Sequence, residues 1–163
     1  MMKIGLISDT HNYLDPKVAD YFKECDEIWH AGDFGTIAIA NELRKIAPVI
    51  GVYGNIDGQD IRKEFPPYKR FTCEGVCVWM VHIGGQPGRY ALPIKQEMDK
   101  NPPDLFICGH THILVIARNP DNKNMLHINP GAAGRQGFQT KRTIVRFSLD
   151  SGEIKGVEVI ELD

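Results

Sequence analysis

What this sequence has little of narrows the field first. Cysteine is scarce: Cys25, Cys73, Cys77 and Cys108 are the only four, and no two of them stand as C-x-x-C. That argues against a disulfide-stapled scaffold and against a thiolate-bound structural zinc, and the four are read as small apolar residues with no role of their own. Long apolar runs are also missing. The longest are a handful of residues, far from the ~20 that cross a bilayer. Met1-Met2-Lys3-Ile4 leads straight into a strand pattern, without the look of a signal peptide, so the expectation is a cytoplasmic protein with no membrane partner. Finally, neither sign of charge dominates. Nineteen Lys and Arg against twenty-one Asp and Glu leave a net charge of −2, which offers no basic field for bulk nucleic-acid binding. Any recognition of phosphate must be local.

What is present is a chain of ordinary size and strong pattern. Its 163 residues suggest one domain spanning 1–163, long enough to bury roughly 68–70% of the surface of the unfolded chain. Ile4 to Ile7 reads as a buried strand that stops at Ser8-Asp9-Thr10-His11, and Asp15-Pro16 opens a helix running to about Lys23. Glu27 to His30 reads as a second strand, followed by Gly32-Asp33 and a helix over about 36–46. Val49 to Tyr53 reads as a third, ending in Gly54-Asn55-Ile56-Asp57, with a helical turn at 60–63. Three β-α units in succession imply a parallel sheet. The pattern then changes, because Arg70–Cys73 and Val76–His82 flank Glu74-Gly75 as a hairpin does. The spacing predicts a helix from Arg89 to Lys100 and a strand from Asp104 to Cys108. Beyond these, strands near 114–117, 125–128, 142–149 and 154–161 are read as a meander, interrupted by the glycine-rich stretch from Asn129 to Gly137.

Polar groups stand at five of these strand ends: Asp9 with His11, Asp33, Asn55, His82, and His110 with His112. Taken singly each has a bland reading, since Asp after a strand commonly caps a helix, Asn beside Gly commonly makes a turn, and a lone His is commonly hydrogen-bonded filler. Taken together they point elsewhere. Ligands of open α/β sheets sit outside the carboxyl ends of strands, so five such loops would bring these donors into one cleft. If residues 109–112 are extended, His110 and His112 leave the same side of the chain while Thr111 points away.

These motifs, Asp9-x-His11, Gly32-Asp33, Gly54-Asn55-x-Asp57, His82 and Gly109-His110-x-His112, together with Asn129-Pro130-Gly131, resemble the calcineurin-like metallophosphoesterases in order and spacing from Met2 to about Arg146. Within that family the likeness is to the small bacterial and archaeal phosphodiesterases, a group whose fold is shared by a retromer subunit. The resemblance implies a four-layer α/β/β/α sandwich with two mixed sheets and two divalent metal ions. By the same resemblance, Asp9, His11 and His112 would hold one ion, Asn55, His82 and His110 the other, and Asp33 would bridge them. His110 and Asp57 are the residues assigned a direct part in catalysis.

The chemistry of the residues supports the assignment. Two divalent ions bring four positive charges and the ligand carboxylates Asp9 and Asp33 return two, leaving a surplus for hydroxide and phosphate. Imidazole, carboxylate and amide without thiolate suit Mn²⁺ first, with Ni²⁺, Fe²⁺, Co²⁺ or Zn²⁺ as alternatives. The expected activity is therefore hydrolysis of a small phosphodiester by a hydroxide at a dinuclear centre, attacking phosphorus in line. Many family members place a His directly after the ligand Asn as an acid for the leaving oxygen, and here that residue is Ile56, as in the phosphodiesterase group. Asp57 is then either an orienter of the Asn55 loop or a weak substitute acid. His30 is read as core or as support for Asp33, and Arg89 and Arg135 as candidates for a phosphate contact. A phosphomonoesterase, and a protein-interaction scaffold with weak or no catalysis on the same fold, are the rivals. A scaffold has no need for the full donor set, and a nuclease would want a basic groove that this chain lacks.

Overall fold

In the computed structural model, which describes residues 1–163, strands and helices follow in the order β1 (Met2–Ile7), α1 (Lys17–Phe22), β2 (Glu27–His30), α2 (Ile37–Arg44), β3 (Val49–Gly51), α3 (Gln59–Arg62), β4 (Tyr68–Cys73), β5 (Val76–Val81), β6 (Gly85–Gln86), β7 (Arg89–Tyr90), α4 (Leu92–Lys100), β8 (Leu105–Ile107), β9 (Leu114–Asn119), β10 (Met125–Pro130), β11 (Thr143–Asp150) and β12 (Glu153–Glu161). They form two five-stranded mixed sheets, ordered β12-β11-β1-β2-β3 and β4-β5-β8-β10-β9. Parallel pairing joins β1 to β2 and β2 to β3 in the first sheet, and β5 to β8 and β8 to β10 in the second. No helix is long and apolar enough to cross a membrane.

The layering follows from the two-residue period of the strands. Val76, Val78 and Met80 of β5 face Ile4, Leu6, Trp29 and Val145 of the first sheet in the core between the sheets. The alternate residues Trp79 and Val81 face outward, where they pack with Phe106 against Met98 of α4. On the far side of the first sheet, Ile7 and Ile28 bury against Val18 and Phe22 of α1 and Ile39, Ala40 and Leu43 of α2. The result is the expected α/β/β/α sandwich, with α4 and the small β6–β7 hairpin making a thin fourth layer. Gly5 is needed in β1 because a Cβ there would lie 2.8 Å from the Phe22 ring, so helix α1 could not sit down on the sheet.

Three expectations need correction. Arg89 and Tyr90 are not helical: they pair with Gln86 and Gly85 as a short hairpin around Gly88 at φ +83°, and α4 starts only at Leu92, with a proline in its first turn. The C-terminal half is not one meander either. β9 and β10 complete the second sheet, whereas β11 crosses over to pair antiparallel with β1 and carries β12 with it. Thr143 Oγ1 donates to Pro130 O at 2.6 Å, fastening this crossing. The third correction, at His110 and His112, belongs to the site.

Candidate metal centre

The parallel strands β1, β2, β3, β5 and β8 end at residues 7, 30, 51, 81 and 107, and the loops that follow them meet. Backbone bonds tie neighbouring loops together within each sheet: Asp9 N–H donates to Gly32 O at 3.0 Å in the first and Gly109 N–H to His82 O at 2.9 Å in the second. His82 Nδ1 donates to Ala31 O at 2.8 Å, joining the second sheet to the first. The loops bring the predicted residues into two groups, Asp9 with His11 and His112, and Asp33 with His82 and His110; within each group the ligand atoms lie within 4.8 Å of one another. Asp33 Oδ2 stands between the groups, 3.1 Å from His82 Nε2 and 3.5 Å from His11 Nε2. Asp9 Oδ1 lies 3.3 Å from His112 Nε2 and 3.8 Å from His11 Nε2. Asn55 sits at the rim of the second group, its Oδ1 3.1 Å from His110 Nδ1.

His110 and His112 converge by a route other than the extended one. Residues 109–112 are not a strand: Thr111 N–H donates to Gly109 O at 2.9 Å, and His110 and His112 take φ of +73° and +65°. The bend sends the two imidazoles to different groups instead of side by side into one. Asn129 holds it from a distance, donating through Nδ2 to Gly109 O at 3.0 Å and to Thr111 Oγ1 at 3.1 Å.

Four of the donors have one atom tied to the protein and one turned to the centre. Asp9 Oδ2 accepts from Ser8 Oγ at 2.6 Å and from His110 N–H at 3.1 Å, leaving Oδ1. Asp33 Oδ1 accepts from Ile56 N–H at 3.1 Å, leaving Oδ2. His112 Nδ1 donates to Gln139 Oε1 at 3.1 Å and His82 Nδ1 to Ala31 O, which fixes both tautomers with the Nε2 lone pair inward. Asp9 Oδ1, His11 Nε2 and His82 Nε2 are buried with no hydrogen-bond partner. Buried polar atoms rarely go without partners, and an oxygen and two imidazole nitrogens facing one space fit a divalent cation of intermediate hardness. Ser8 and Gln139 escaped sequence reading. Ser8 beside Asp9 was a usable signal; nothing local marks Gln139 as a partner of His112.

The same geometry shifts protonation. Burial works to raise the Asp9 carboxyl, but the His11 and His112 imidazoles facing it, the charge of His82 and the Ser8 hydroxyl outweigh it and hold it well below the usual carboxylate range. Asp33 is held low against its burial by His82 and the Ile56 N–H. Conversely, His82 is raised despite its burial by Asp33 and Asp9, and His112 is raised first by the Asp9 carboxylate beside it.

The remaining candidates fall outside the cluster or behind it. Asp57 is buried, and its carboxylate accepts from the N–H groups of Asp33, Gly54 and Gly35 at 3.0, 2.8 and 2.9 Å. Such a carboxylate clamps the Asp33 and Asn55 loops together and has no oxygen free for a leaving group. His30 is fully buried and stacked on Phe34; its Nδ1 accepts from Gly32 N–H at 3.0 Å and burial pushes its pKa down to about 3. Arg135 lies over the Tyr13 ring and donates to its hydroxyl at 2.9 Å, and Arg89 stands exposed on the β6–β7 hairpin, so neither is drawn to the centre.

Comparison with known proteins agrees with this geometry. Residues 2–152 match the model of the calcineurin-like phosphoesterase superfamily domain. A probable metallophosphoesterase of Methanothermobacter thermautotrophicus is 33% identical, the match covering 80% of this chain and 77% of that protein. Among solved structures, an archaeal phosphodiesterase superimposes with a TM-score of 0.77 at 27% identity, over 99% of this chain and all of the other. Vps29 from Chaetomium thermophilum superimposes with a TM-score of 0.77 at 15% identity, over 99% of this chain and 97% of that one, a likeness of fold alone.

Two outcomes are expected. In metal-free protein the raised pKa values of His82 and His112 mean that protonation adds stability below their unfolded value near 6.5, a contribution lost as pH rises through the folded values. A divalent ion needs both imidazoles neutral, so the metal-induced rise in melting temperature should grow from pH 6 to 8, with half-saturation falling by up to about tenfold per pH unit for each proton displaced. Thermal melts with Mn²⁺ across that range check this; a flat response would remove these histidines from the site. Separately, a Cβ at Gly54 would collide with the Asp33 carboxylate and backbone N–H. Gly54→Ala should therefore weaken metal binding by about 10–100-fold, while circular dichroism shows the fold retained; unchanged affinity by calorimetry would contradict the role given to Asp33.

Proposed function

The chain belongs to the calcineurin-like phosphoesterase superfamily, and on that premise we propose that it is a metal-dependent phosphodiesterase with two divalent ions, acting by direct attack of water on phosphorus. The observation that carries the reading is the pair of donor groups around Asp33, with three buried and unpartnered atoms aimed into them. Asp9, His11 and His112 would hold one ion and His82, His110 and Asn55 the other, with Asp33 placed between the two groups; Mn²⁺ is the proposed ion. Bound divalent ions supply Lewis acidity, lowering the pKa of a water and neutralising charge on phosphoryl oxygens.

The protein's own part is to hold the donors and to offer nothing that competes with water. No side chain at the centre is a free nucleophile. The Ser8 hydroxyl is bonded to Asp9, the Thr10 hydroxyl donates to Phe34 O at 2.9 Å, and the buried Cys108 thiol is pushed up to about 12 by burial. Direct hydrolysis without a covalent enzyme intermediate follows from that inventory. His110 is the one exposed imidazole of the donor set, which assigns it the contact with incoming phosphate. Asp57 is a positioning residue that keeps the Asp33 and Asn55 loops in register.

The test is a metal and substrate panel on chelator-stripped protein. Turnover of an aryl phosphodiester should vanish on stripping, return with Mn²⁺, and exceed turnover of the matching monoester. His82→Ala and Asn55→Ala should each reduce bound metal toward one ion per chain and lower kcat/KM by at least about a hundredfold, the upper end of what loss of an orienting partner costs. Full turnover by stripped enzyme would defeat the mechanism. Two bound ions with no turnover of any diester would favour the scaffold reading.

A further inference from the structure

Three residues of the donor set are followed directly by an isoleucine: Asn55-Ile56, His82-Ile83 and His112-Ile113. All three stand out at the rim, with exposures of 47%, 50% and 54%. Phe138, in the crossing loop beside the Gln139 that holds His112, is fully exposed, and Tyr68 at the start of β4 is also exposed. Large apolar side chains turned to water at the mouth of a polar site gain nothing for folding, and their clustering there points to a ligand.

The rim is divided into two clefts. One, of about 450 Å³, takes in His110, His112, Ile113 and Phe138. The other, of about 300 Å³, takes in Asn55, His82, Ile83 and Tyr68. No Lys, Arg, Asp or Glu lines either of them. Each cleft therefore reaches the donor set from its own side and is walled by apolar or neutral groups. A phosphodiester has the matching shape: one anionic centre carrying two ester arms. A phosphomonoester has one arm and would leave a cleft unfilled. A polyphosphate arm would bring further negative charge to walls with no side-chain cation to receive it.

We propose that the clefts walled by Ile113 with Phe138 and by Ile83 with Tyr68 receive the two ester arms of the substrate, and that the enzyme selects diesters whose two arms are both uncharged and apolar-bodied. This rests on the phosphodiesterase reading and adds the substrate class to it. These four side chains are specificity residues and take no part in holding metal.

The experiment compares two substrates with one leaving group, bis(4-nitrophenyl) phosphate and methyl 4-nitrophenyl phosphate, so that only the second arm differs. It uses Mn²⁺-loaded wild type, Phe138→Ala with Ile113→Ala, and Ile83→Ala with Tyr68→Ala, with calorimetric binding of diphenyl phosphate and phenyl phosphate alongside. Wild type should favour the larger diester in kcat/KM. Each double variant should lower that ratio by about tenfold, the scale of about 55 Å² of apolar surface returned to water. Affinity for diphenyl phosphate should fall in parallel, with metal content unchanged. A ratio and an affinity both unmoved in the two double variants would overturn the proposal, as would loss of self-association in sedimentation with the ratio unchanged, which would make the rim a contact between copies of the chain. Failure of wild type to turn over any diester would count against the phosphodiesterase reading alone, since binding of diphenyl phosphate to the variants still decides the clefts.

Discussion

The structure depends on a backbone constraint at the strand exits. Asp9, His11, Asp33, His110 and His112 all run in the left-handed region, at φ from +45° to +73°, where a side chain other than glycine costs roughly 1–2 kcal/mol. None of these conformations serves the sheets. Each turns the chain sharply at the end of a strand so that a carboxylate or imidazole folds back over the strand ends. Two bonds between the sheets hold the turns, His82 Nδ1 to Ala31 O and His110 N–H to Asp9 Oδ2, and others act within a sheet, Asp9 N–H to Gly32 O and Asn129 to the loop at Gly109 to Thr111. Strain of this kind persists only where its surroundings over-determine it. Here the two sheets, packed face to face, do so mutually.

The constraint also marks the boundary of what the sequence could disclose. The convergence of the donors was legible because apolar runs ending abruptly in Asp, Asn or His mark strand ends, and the strand-helix alternation over residues 4–63 fixes their common direction. The turn that aims His110 and His112 was not legible. An i, i+2 pair looks alike whether extended or bent, and the residue that bends it, Asn129, lies 20 positions from Gly109. The same cause underlies the error over the last two strands. Their alternation is correct for β-structure, but the choice between sheets is made by pairing of Val145–Leu149 with Met2–Leu6, at opposite ends of the chain. Arg89 and Tyr90 were misplaced for a local reason, a short pairing around Gly88 that outweighs helical spacing.

Asp57 shows what position alone leaves open. It lies two residues from Asn55, where it could orient that loop or act as a weak acid, and three backbone N–H groups occupy its oxygens, which fits the first of these. Those bonds make it the clasp between the loops of Asp33 and Asn55, and they remove it from the charge balance at the centre. Only Asp9 and Asp33 then present carboxylate oxygens there. The separation keeps the donor set poor in negative charge, as a site for an anionic ester requires.

One consequence links the clasp to the rim. With Asp57 committed to backbone and Ile56 exposed in the place where many relatives of the wider family carry a histidine, no side chain of the Asn55 loop is free to give a proton to a departing oxygen. General acids contribute about 10²–10⁴ in rate, and most where the leaving oxygen is strongly basic. On the phosphodiesterase reading, a loop without one would suit esters whose leaving group is stable as an anion. Delocalised, ring-bearing alcohols meet that requirement, and they are also bodies that Phe138, Tyr68 and the isoleucines could bury. On the proposed reading, the missing acid and the apolar walls would select in the same direction, one through the chemistry of bond cleavage and the other through desolvation.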